Sequence, residues 1–552
     1  MKRIIVSMLA FCLVIGASAQ DQPRVKVAQG VLQGTEISGI KVFKGVPYAA
    51  PPVGDLRWKA PQPLAAWDGV RMADDFGPDP MQEPIFGDMN FGAKTKSEDC
   101  LYLNVWTPAK TMQEKLPVLV YFNGGGLMAG SGSEPRYAGL NMARRGIVGI
   151  TVNYREGIFG FFSHPELSKE ASYKGSGNYG YMDQAAALQW LQQNVAAFGG
   201  DPKRITIVGE SAGSVSVSAL MASPMAKGTF SQVIGSSGAI VGLLHNEVDK
   251  KGNLYIAYGQ LPSLKEAESE GVKTMKKIGC KSLKELRAMP AEELMTQAGV
   301  RSMSRGTVDG LFFTEQPEEV FKKGEQAQVP LLIGGTSKEA AAWSVLLGGA
   351  PTLETVKARI TPLFGDATDE MLQLYGFHND ADLFKEPGTL IGSDMFIATS
   401  TWRLSELHRT TSNCPVYRYQ YCHPRPAMKQ KGLVAKLAGG TSKATDTKST
   451  EPVDEYIGAS HSSDIEYAMG NLSTNEVFDW NADDYAVSGI FMNFYVNFIK
   501  TGNPNGLGLP DWPAINGKNP VPVMKIDVNT RVETNPTMDR RYQLFDKLVF
   551  QK

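Results

Sequence analysis

The sequence predicts an α/β fold with a large, mainly parallel central sheet, helices on both faces, and a small antiparallel portion near the N-terminus. From about residue 97 onward, short apolar runs alternate with amphipathic helical patterns, which is typical of parallel sheets. Several runs are apolar at consecutive positions, as in strands covered on both faces. One of them, at residues 205–208, leads directly into Gly-Glu-Ser-Ala-Gly at residues 209–213, which favours a sharp turn between a strand and a helix.

The composition is that of a globular protein. The chain has 552 residues, of which 42% are hydrophobic and 20% charged, and its formal net charge is −1. This balance offers neither the basic surplus that favours nucleic-acid binding nor a block of like charge for a polyelectrolyte partner. No nucleic-acid partner is expected.

The N-terminus has the pattern of a secretory signal. Lys2 and Arg3 precede an apolar stretch over residues 4–15, and Ala-Ser-Ala at residues 17–19 fits a cleavage site with small residues. The stretch is too short to span a bilayer, and Phe11 is bulky where a lipoprotein signal needs a small residue before its cysteine. We therefore expect a signal peptide over residues 1–19, export to the periplasm or the exterior, and no stable membrane anchor.

The predicted elements indicate one domain over residues 20–552. Short antiparallel strands over residues 25–46 precede core strands over residues 117–122, 147–153, 205–208, 233–236, 329–334 and 416–421. Residues 183–197 have one apolar helical face, and residues 488–500 carry an aromatic stripe that favours core packing. Residues 428–455 are the most irregular stretch, which predicts either a solvated surface loop or a mobile flap.

Ser211, at the centre of the Gly-Glu-Ser-Ala-Gly pattern, is the candidate nucleophile. A serine hydroxyl needs a base that takes its proton and a third group that fixes the tautomer of that base. In serine hydrolases built on such a sheet, the chain order is serine, acid, histidine. His461 lies in a polar segment after the last predicted core strand and satisfies this order, whereas His164 does not. His423, at a strand end, is the weaker alternative.

Glu339 is the candidate acid. It lies between Ser211 and His461, directly after a predicted strand and a glycine turn. A glutamate that stabilises a helix N-terminus would fit the same position, so the spacing alone leaves both interpretations open.

The glycine run at residues 124–126 is the candidate oxyanion loop. It follows an apolar strand, and three glycines let main-chain N–H groups approach the oxygen on which acyl transfer builds negative charge. The N–H of Ala212, directly after the serine, would complete this site. A merely flexible loop is the alternative, while a phosphate-binding P-loop is disfavoured because its terminal Gly-Lys-Ser/Thr is missing.

Long motifs occur along the chain in a fixed order: FKGVPYAAPPVG at residues 43–54, SEDCLYLN at 97–104, the serine run at 198–213, GTSKE at 335–339 and GASHSSDIEY at 458–467. Together they resemble the type-B carboxylesterase family, the carboxylesterase and cholinesterase group of α/β-hydrolases. The resemblance covers most of the mature chain. It implies an α/β-hydrolase fold, a catalytic triad of Ser211, Glu339 and His461, and oxyanion N–H donors from Gly125, Gly126 and Ala212.

The resemblance also implies structural features, and the sequence departs from the family pattern at some positions. It implies an ion pair between Arg57 and Glu98 that is structural rather than catalytic. Asn123 stands where the family often has histidine, and an asparagine can still hydrogen-bond the loop backbone; Leu127 stands where phenylalanine is usual. Cys100 lacks the upstream cysteine with which the family usually pairs it, so we predict a free, buried thiol.

Two further cysteines, Cys414 and Cys422, flank a predicted strand. Their separation along an extended strand exceeds disulfide reach, so we predict that they are not bonded to each other.

The expected function is the hydrolysis of carboxylic esters through an acyl-enzyme, with a small-molecule ester as partner. No metal or organic cofactor is implied, and a monomer is the default. Activity should fall as His461 becomes protonated, near an ordinary pKa of about 6.5. An amidase or acyltransferase with the same triad is the nearest alternative, and a cholinesterase-like binding or adhesion module is another. The acyl and alcohol preferences depend on side chains around Leu127, Met128, Trp343 and the loop before His461. Ordinary packing is an alternative role for each of these, and the sequence leaves the preferences open.

Overall fold

The computed structural model of the chain describes residues 22–86, 89–298, 306–346, 351–435, 441–443 and 455–551. The signal peptide expected over residues 1–19 lies outside these ranges, and so does most of the irregular stretch at residues 428–455. The described part of that stretch includes two short strands that pair with each other.

Within the described residues the strands are, in chain order, β1 (Arg24–Val27), β2 (Gly30–Gln33), β3 (Thr35–Ile37), β4 (Ile40–Pro47), β5 (Val70–Met72), β6 (Tyr102–Thr107), β7 (Leu116–Phe122), β8 (Val148–Val152), β9 (Gly200–Glu210), β10 (Gln232–Ser236), β11 (Leu244–Val248), β12 (Leu254–Tyr258), β13 (Leu331–Thr336), β14 (Val416–Tyr421), β15 (Leu433–Ala435), β16 (Thr441–Lys443), β17 (Pro522–Ile526) and β18 (Arg531–Thr534).

The α-helices in the same ranges are α1 (Leu140–Arg144), α2 (Gly157–Phe161), α3 (Pro165–Glu170), α4 (Tyr179–Asn194), α5 (Ala212–Ala222), α6 (Leu264–Ile278), α7 (Leu283–Ala288), α8 (Ala291–Ala298), α9 (Pro317–Lys322), α10 (Ala342–Leu346), α11 (Leu353–Phe364), α12 (Thr368–Tyr375), α13 (Glu386–Ser393), α14 (Thr399–Thr411), α15 (Ile465–Met469), α16 (Ala482–Thr501) and α17 (Pro536–Phe545).

One large sheet organises the molecule. In the described part of the chain it has eleven strands in the order β18-β17-β14-β13-β10-β9-β7-β8-β6-β4-β3. The run from β17 to β8 is parallel throughout, whereas β18 on one side and β6, β4 and β3 on the other join it antiparallel. The predicted α/β fold, with a mainly parallel sheet and an antiparallel N-terminal portion, is therefore confirmed.

Helices cover both faces of this sheet because successive strand residues are apolar. In β7, Val118 and Val120 belong to one buried cluster, while Leu119 and Tyr121 belong to another on the opposite face. Helices α4 and α5 pack into the first cluster and α16 into the second. The aromatic stripe predicted at residues 488–500 is thus core packing.

The predicted core strands are all present with shifted boundaries, and β14 matches its prediction at residues 416–421. Two strands at the C-terminal end, β17 and β18, were not predicted, so His461 does not follow the last core strand. Both are short and come after a stretch rich in glycine and proline, which favours loops. The aromatic helix begins before its predicted start, because Asn481 accepts hydrogen bonds from the N–H groups of Asp483 and Asp484 and caps it there.

The structural ion pair expected from the motifs is present. Arg57 donates to both carboxylate oxygens of Glu98 at 2.6 and 2.5 Å, and its remaining donors bind main-chain carbonyls near the end of α7. Cys100 is buried with a free thiol, as predicted, and Cys414 and Cys422 are also free. None of the helices described is both long and apolar enough to cross a membrane.

Candidate active site

Ser211 lies on a tight turn between β9, which ends at Glu210, and α5, which begins at Ala212. It has φ 56° and ψ −125°, a conformation that costs a non-glycine residue on the order of 1–3 kcal/mol. The turn brings main-chain segments together, since a Cβ on Gly209 would lie 2.2 Å from the carbonyl oxygen of Gly213. Glycine is therefore required at residue 209, and the strained turn presents the serine hydroxyl at the carboxyl end of the strand.

His461 lies between Ser211 and Glu339 and contacts both. Its Nε2 is 3.0 Å from Oγ of Ser211, and its Nδ1 is 2.5 Å from Oε2 of Glu339. These contacts join residues that are 250 and 122 positions apart in the sequence. The histidine and the glutamate are both buried. In this arrangement the imidazole can take a proton from the serine hydroxyl while the carboxylate holds the other ring N–H.

Two hydrogen-bond donors hold the carboxylate of Glu339 in place. Its Oε1 accepts hydrogen bonds from Oγ of Ser237 and from the main-chain N–H of Thr336, both at 2.7 Å. These bonds leave Oε2 for His461. Sequence reasoning missed Ser237, because a single serine after an apolar strand is common; its only signal is its position directly after β10.

The candidate oxyanion residues share a cavity with the serine. Gly125, Gly126 and Ala212 line the same space as Ser211. Gly125 has φ 111°, and a Cβ there would lie 1.7 Å from the carbonyl oxygen of Ala129. The glycine run therefore allows a fold of the loop that no other residue type would permit at residue 125.

The side chain of Asn123 hydrogen-bonds the start of this loop. Its Nδ2 donates to the carbonyl oxygen of Gly124 at 3.0 Å, as expected, and to Oε1 of Glu156 at 2.9 Å. The hydroxyl of Tyr154 donates to the main-chain carbonyl of Asn123 at 2.9 Å. Burial raises the pKa of Glu156 well above its usual range. Sequence reasoning missed Glu156, because nothing in its local pattern links it to the glycine run.

Two further carboxyl groups lie close to His461. Oε1 of Glu210 is 3.3 Å from Nε2 of His461 and accepts a hydrogen bond from Oγ of Ser462 at 2.7 Å. Asp464 accepts one from Oγ of Ser236 at 2.5 Å. Burial raises the pKa of Glu210 to about 7 and that of Asp464 to about 6. The site thus contains acidic groups that gain or lose protons near neutral pH.

These carboxylates change the titration of the candidate base. Burial by itself lowers the pKa of His461, but the negative charge of Glu210 and the hydrogen bond with Glu339 outweigh burial and raise it to about 9. The expectation of an ordinary value near 6.5 is therefore wrong, because a sequence does not show which carboxylates surround an imidazole.

The serine opens into a cavity of about 620 Å³. Most of its wall is apolar, including Phe86, Met89, Val215, Ile240, Phe396 and Ile397. Leu127 and Met128 lie in this wall, as the sequence predicted, but Trp343 does not. A buried ion pair of Glu134 and Arg136 forms a polar part of the same wall. The cavity therefore suits a ligand with a large apolar portion.

The competing histidines have other partners. Nε2 of His423 is 2.9 Å from Oδ1 of Asp484. His164 is the residue before α3, and its Nδ1 accepts the main-chain N–H of Glu166 at 3.3 Å. Neither side chain contacts Ser211, so the structure brings together His461 and not its competitors.

A family model described as the carboxylesterase family matches residues 21–544. The chain belongs to this family. Among its relatives, a fumonisin B1 esterase of Sphingopyxis macrogoltabida is 34% identical over 441 residues, which cover 75% of each chain. A para-nitrobenzyl esterase of Bacillus subtilis is 30% identical and covers 94% of this chain and 98% of its own.

Solved structures of this carboxylesterase's relatives share its fold. A carboxylesterase of Geobacillus stearothermophilus superposes with a TM-score of 0.76 at 30% identity, covering 95% of this chain and 99% of its own. A para-nitrobenzyl esterase structure gives a TM-score of 0.75 at 27% identity, with the same coverage. The protein is a carboxylic-ester hydrolase with the α/β-hydrolase fold.

Replacing Gly335 by alanine should reduce kcat for a nitrophenyl ester about 100-fold, since a catalytic group displaced by about 1 Å costs that much. The added Cβ would lie 2.5 Å from Oε1 of Glu339, so the carboxylate must move relative to His461. Gly489→Ala in α16 is the matched control, because its added Cβ meets no atom within 4 Å. Equal kcat values for the two variants would contradict this role of Gly335.

The value of kcat/KM should fall as the pH decreases through a point above 6.5, because His461 must be neutral to accept a proton and its pKa is raised. Glu210→Gln removes the negative charge 3.3 Å from Nε2, so the acid limb of the pH profile should move down by roughly one to three units. Glu270→Gln, at an exposed pair on α6, is the control. A limb that stays in place in the Glu210 variant would refute the electrostatic cause.

Proposed function

We propose that the protein cleaves carboxylic esters at Ser211 through an acyl-enzyme, with His461 as general base and acid and Glu339 as its orienting carboxylate. One observation carries this proposal. The hydroxyl, the imidazole and the carboxylate form a continuous hydrogen-bonded series that opens into the main cavity. Membership of the carboxylesterase family supports the same chemistry.

In the first half of the reaction, Oγ of Ser211 attacks the ester carbonyl carbon while its proton passes to Nε2 of His461. The carbonyl oxygen becomes an oxyanion that the N–H groups of Gly125, Gly126 and Ala212 stabilise. The bond to the alcohol oxygen then breaks, and His461 returns the proton to the leaving alcohol. Glu339 stabilises the imidazolium throughout.

In the second half, water replaces the alcohol. His461 takes a proton from the water, the resulting hydroxide attacks the acyl carbon, and a second oxyanion forms in the same place. When the bond to Oγ breaks, the proton returns to Ser211 and the carboxylic acid leaves. The ester and one water molecule are the two reactants, and the alcohol and the carboxylic acid are the two products, so both halves balance.

The cavity supports esters with a sizeable apolar group. Its wall is mainly aliphatic and aromatic side chains around Ser211, and burial of such surface contributes about 25 cal/mol per Å². Relatives bear names as different as fumonisin B1 esterase and acylcarnitine hydrolase, so the individual substrate depends on the cavity of this chain. The wall is the place where that preference is set.

Ser211→Ala should lower kcat for a nitrophenyl ester by several orders of magnitude, on the scale of triad deletions. Acid-quenched wild-type enzyme should also gain the mass of one acyl group during turnover, located on the peptide that contains residue 211. Loss of activity without any acylated peptide in the wild type would argue against the acyl-enzyme.

The alternatives that share the triad give different products. An amidase would cleave the matching nitroanilide with a comparable kcat/KM, and an acyltransferase would pass the acyl group to an added alcohol in preference to water. We expect faster ester cleavage than anilide cleavage and free acid as the main product. The reverse result in either assay would replace the hydrolase proposal.

We also propose that the protein is exported. The charged start, the apolar stretch over residues 4–15 and the small residues at 17–19 support this. When the full-length chain is expressed in a bacterial host, N-terminal sequencing of the protein recovered outside the cytoplasm should start at Gln20. Ala19→Leu, which enlarges a residue of the expected cleavage site, should retain the unprocessed chain. An intact N-terminus on wild-type protein in the cytoplasm would contradict export.

A further inference from the structure

A second cavity lies behind the catalytic carboxylate. It has a volume of about 410 Å³ and is lined by the carboxyl ends of β13 and β14, by β17 and β18, and by α13 and α17. Gly334 and Glu339 are in its wall, and neither lines the cavity at Ser211, here called the ester cavity. Unlike the ester cavity, its lining is mainly polar and charged.

Arg418, on β14, is the central feature of this second cavity. It is 7% exposed, and neither a hydrogen bond nor an ion pair joins it to any residue that the structure describes. Its Nη1 is a buried nitrogen without a hydrogen-bond partner. Its guanidinium lies 5.5 Å from the ring centre of Tyr542, which offers a cation–π contact but accepts no N–H. A guanidinium keeps its charge in a protein, so the fold holds a buried cation here.

One buried carboxylate in the lining already has a cationic partner. Asp394 pairs with Nε of Arg541 at 2.9 Å. It also accepts hydrogen bonds from the hydroxyls of Tyr375 at 2.8 Å and Tyr542 at 2.7 Å. Both oxygens therefore have partners, and the charge of Asp394 is cancelled by Arg541. Arg418 remains without an ion-pair partner among the described residues.

The mouth of the second cavity adds another cation. Lys525 donates to Oε1 of Gln420 and has no carboxylate partner among the described residues. Arg531, by contrast, pairs with Asp527 and Glu533. Lys525 therefore brings to the cavity a second positive charge that no described carboxylate holds in an ion pair.

Asp527 and Glu533 also line the cavity, and both pair with Arg531. Apart from these, Asp394 and Glu339, Glu386 is the remaining carboxylate in the lining. It is exposed and forms no ion pair within the described ranges, so solvent screens its charge from the buried guanidinium. The catalytic Glu339 is engaged by His461. None of the five carboxylates in the lining forms an ion pair with Arg418.

We propose that this cavity is a binding site for a small anion with carboxylate or phosphate oxygens, held by Arg418 and Lys525. Burying a charge without a partner is unfavourable, and an anion that pairs with the guanidinium reduces this cost. Guanidinium groups bind such oxygens in pairs, with two parallel N–H donors. The volume of about 410 Å³ admits an ion of the size of phosphate or citrate.

Isothermal titration calorimetry on the mature chain tests this proposal with sodium phosphate and sodium citrate as separate probes. Sodium chloride at the same ionic strength is the salt control. We expect saturable binding of phosphate, citrate or both, but not of chloride. Whichever of the two probes binds shows whether the site recognises phosphate oxygens or carboxylate oxygens. No saturable binding of either probe, or equal effects of chloride, would overturn the proposal.

Arg418→Met should weaken the binding roughly 10- to 100-fold, since it removes charge-assisted hydrogen bonds. Methionine keeps the apolar stem and removes a buried charge, so the variant should fold, and circular dichroism checks this. Arg540→Met, on the exposed face of α17 and outside the cavity, is the matched control. If Arg418→Met binds as tightly as wild type, the proposal is wrong.

Lys525→Met provides an independent variant if Arg418→Met does not fold. It should weaken binding by a smaller factor, because Lys525 is only partly buried and its charge is partly screened. If Lys525→Met binds both probes as tightly as wild type, Lys525 does not contribute to the site. Together with unchanged binding by Arg418→Lys, which keeps the charge but loses the paired donors, it would overturn the proposal.

Discussion

The parallel register of three neighbouring strands places the reacting groups next to one another. In β9, β10 and β13, Glu210 is level with Ser236, and Ser236 is level with Gly334. The main-chain N–H of Ser211 donates to the carbonyl oxygen of Ser236 at 2.9 Å, so the ladder continues onto the turn. Side chains that follow these strands therefore start from one edge, about 5 Å apart per strand. The hydrogen-bonded series through His461 depends on this alignment.

Much of the fold and the identities of the three reacting groups could be predicted from the sequence. The signals were the continuous apolar strands, the glycines around Ser211 and the order of long motifs. What could not be predicted depends on contacts between distant segments. Ser237 supports Glu339, and Glu156 supports Asn123, across separations that no local pattern reports. Strands β17 and β18 were missed for a different reason, because short strands after proline and glycine look like loops.

Buried charged side chains occur in three different arrangements in this structure. Arg57 and Glu98 form a compact ion pair with further hydrogen bonds to main-chain carbonyls, which is a structural arrangement. Around His461 the carboxylates exceed the cations, so proton affinities shift toward neutral pH and above. Behind Glu339, Arg418 is buried without an ion-pair partner among the described residues. The third arrangement is thus a single buried cation in a cavity of mixed charge.

The contact between Asn123 and Glu156 has a consequence for alkaline conditions. Burial raises the pKa of the Glu156 carboxyl well above its usual range, and no cation among the described residues forms an ion pair with it. Its ionisation at high pH would place a charge in an apolar surrounding, directly beneath the glycine run that binds the oxyanion. The folded state disfavours this ionisation. A protein molecule in which Glu156 loses its proton must loosen the loop or admit water to the carboxylate. At low pH the protonated imidazole of His461 cannot act as a base, whereas at high pH ionised Glu156 would distort the glycine loop. Two separate parts of the structure therefore limit the pH range of activity.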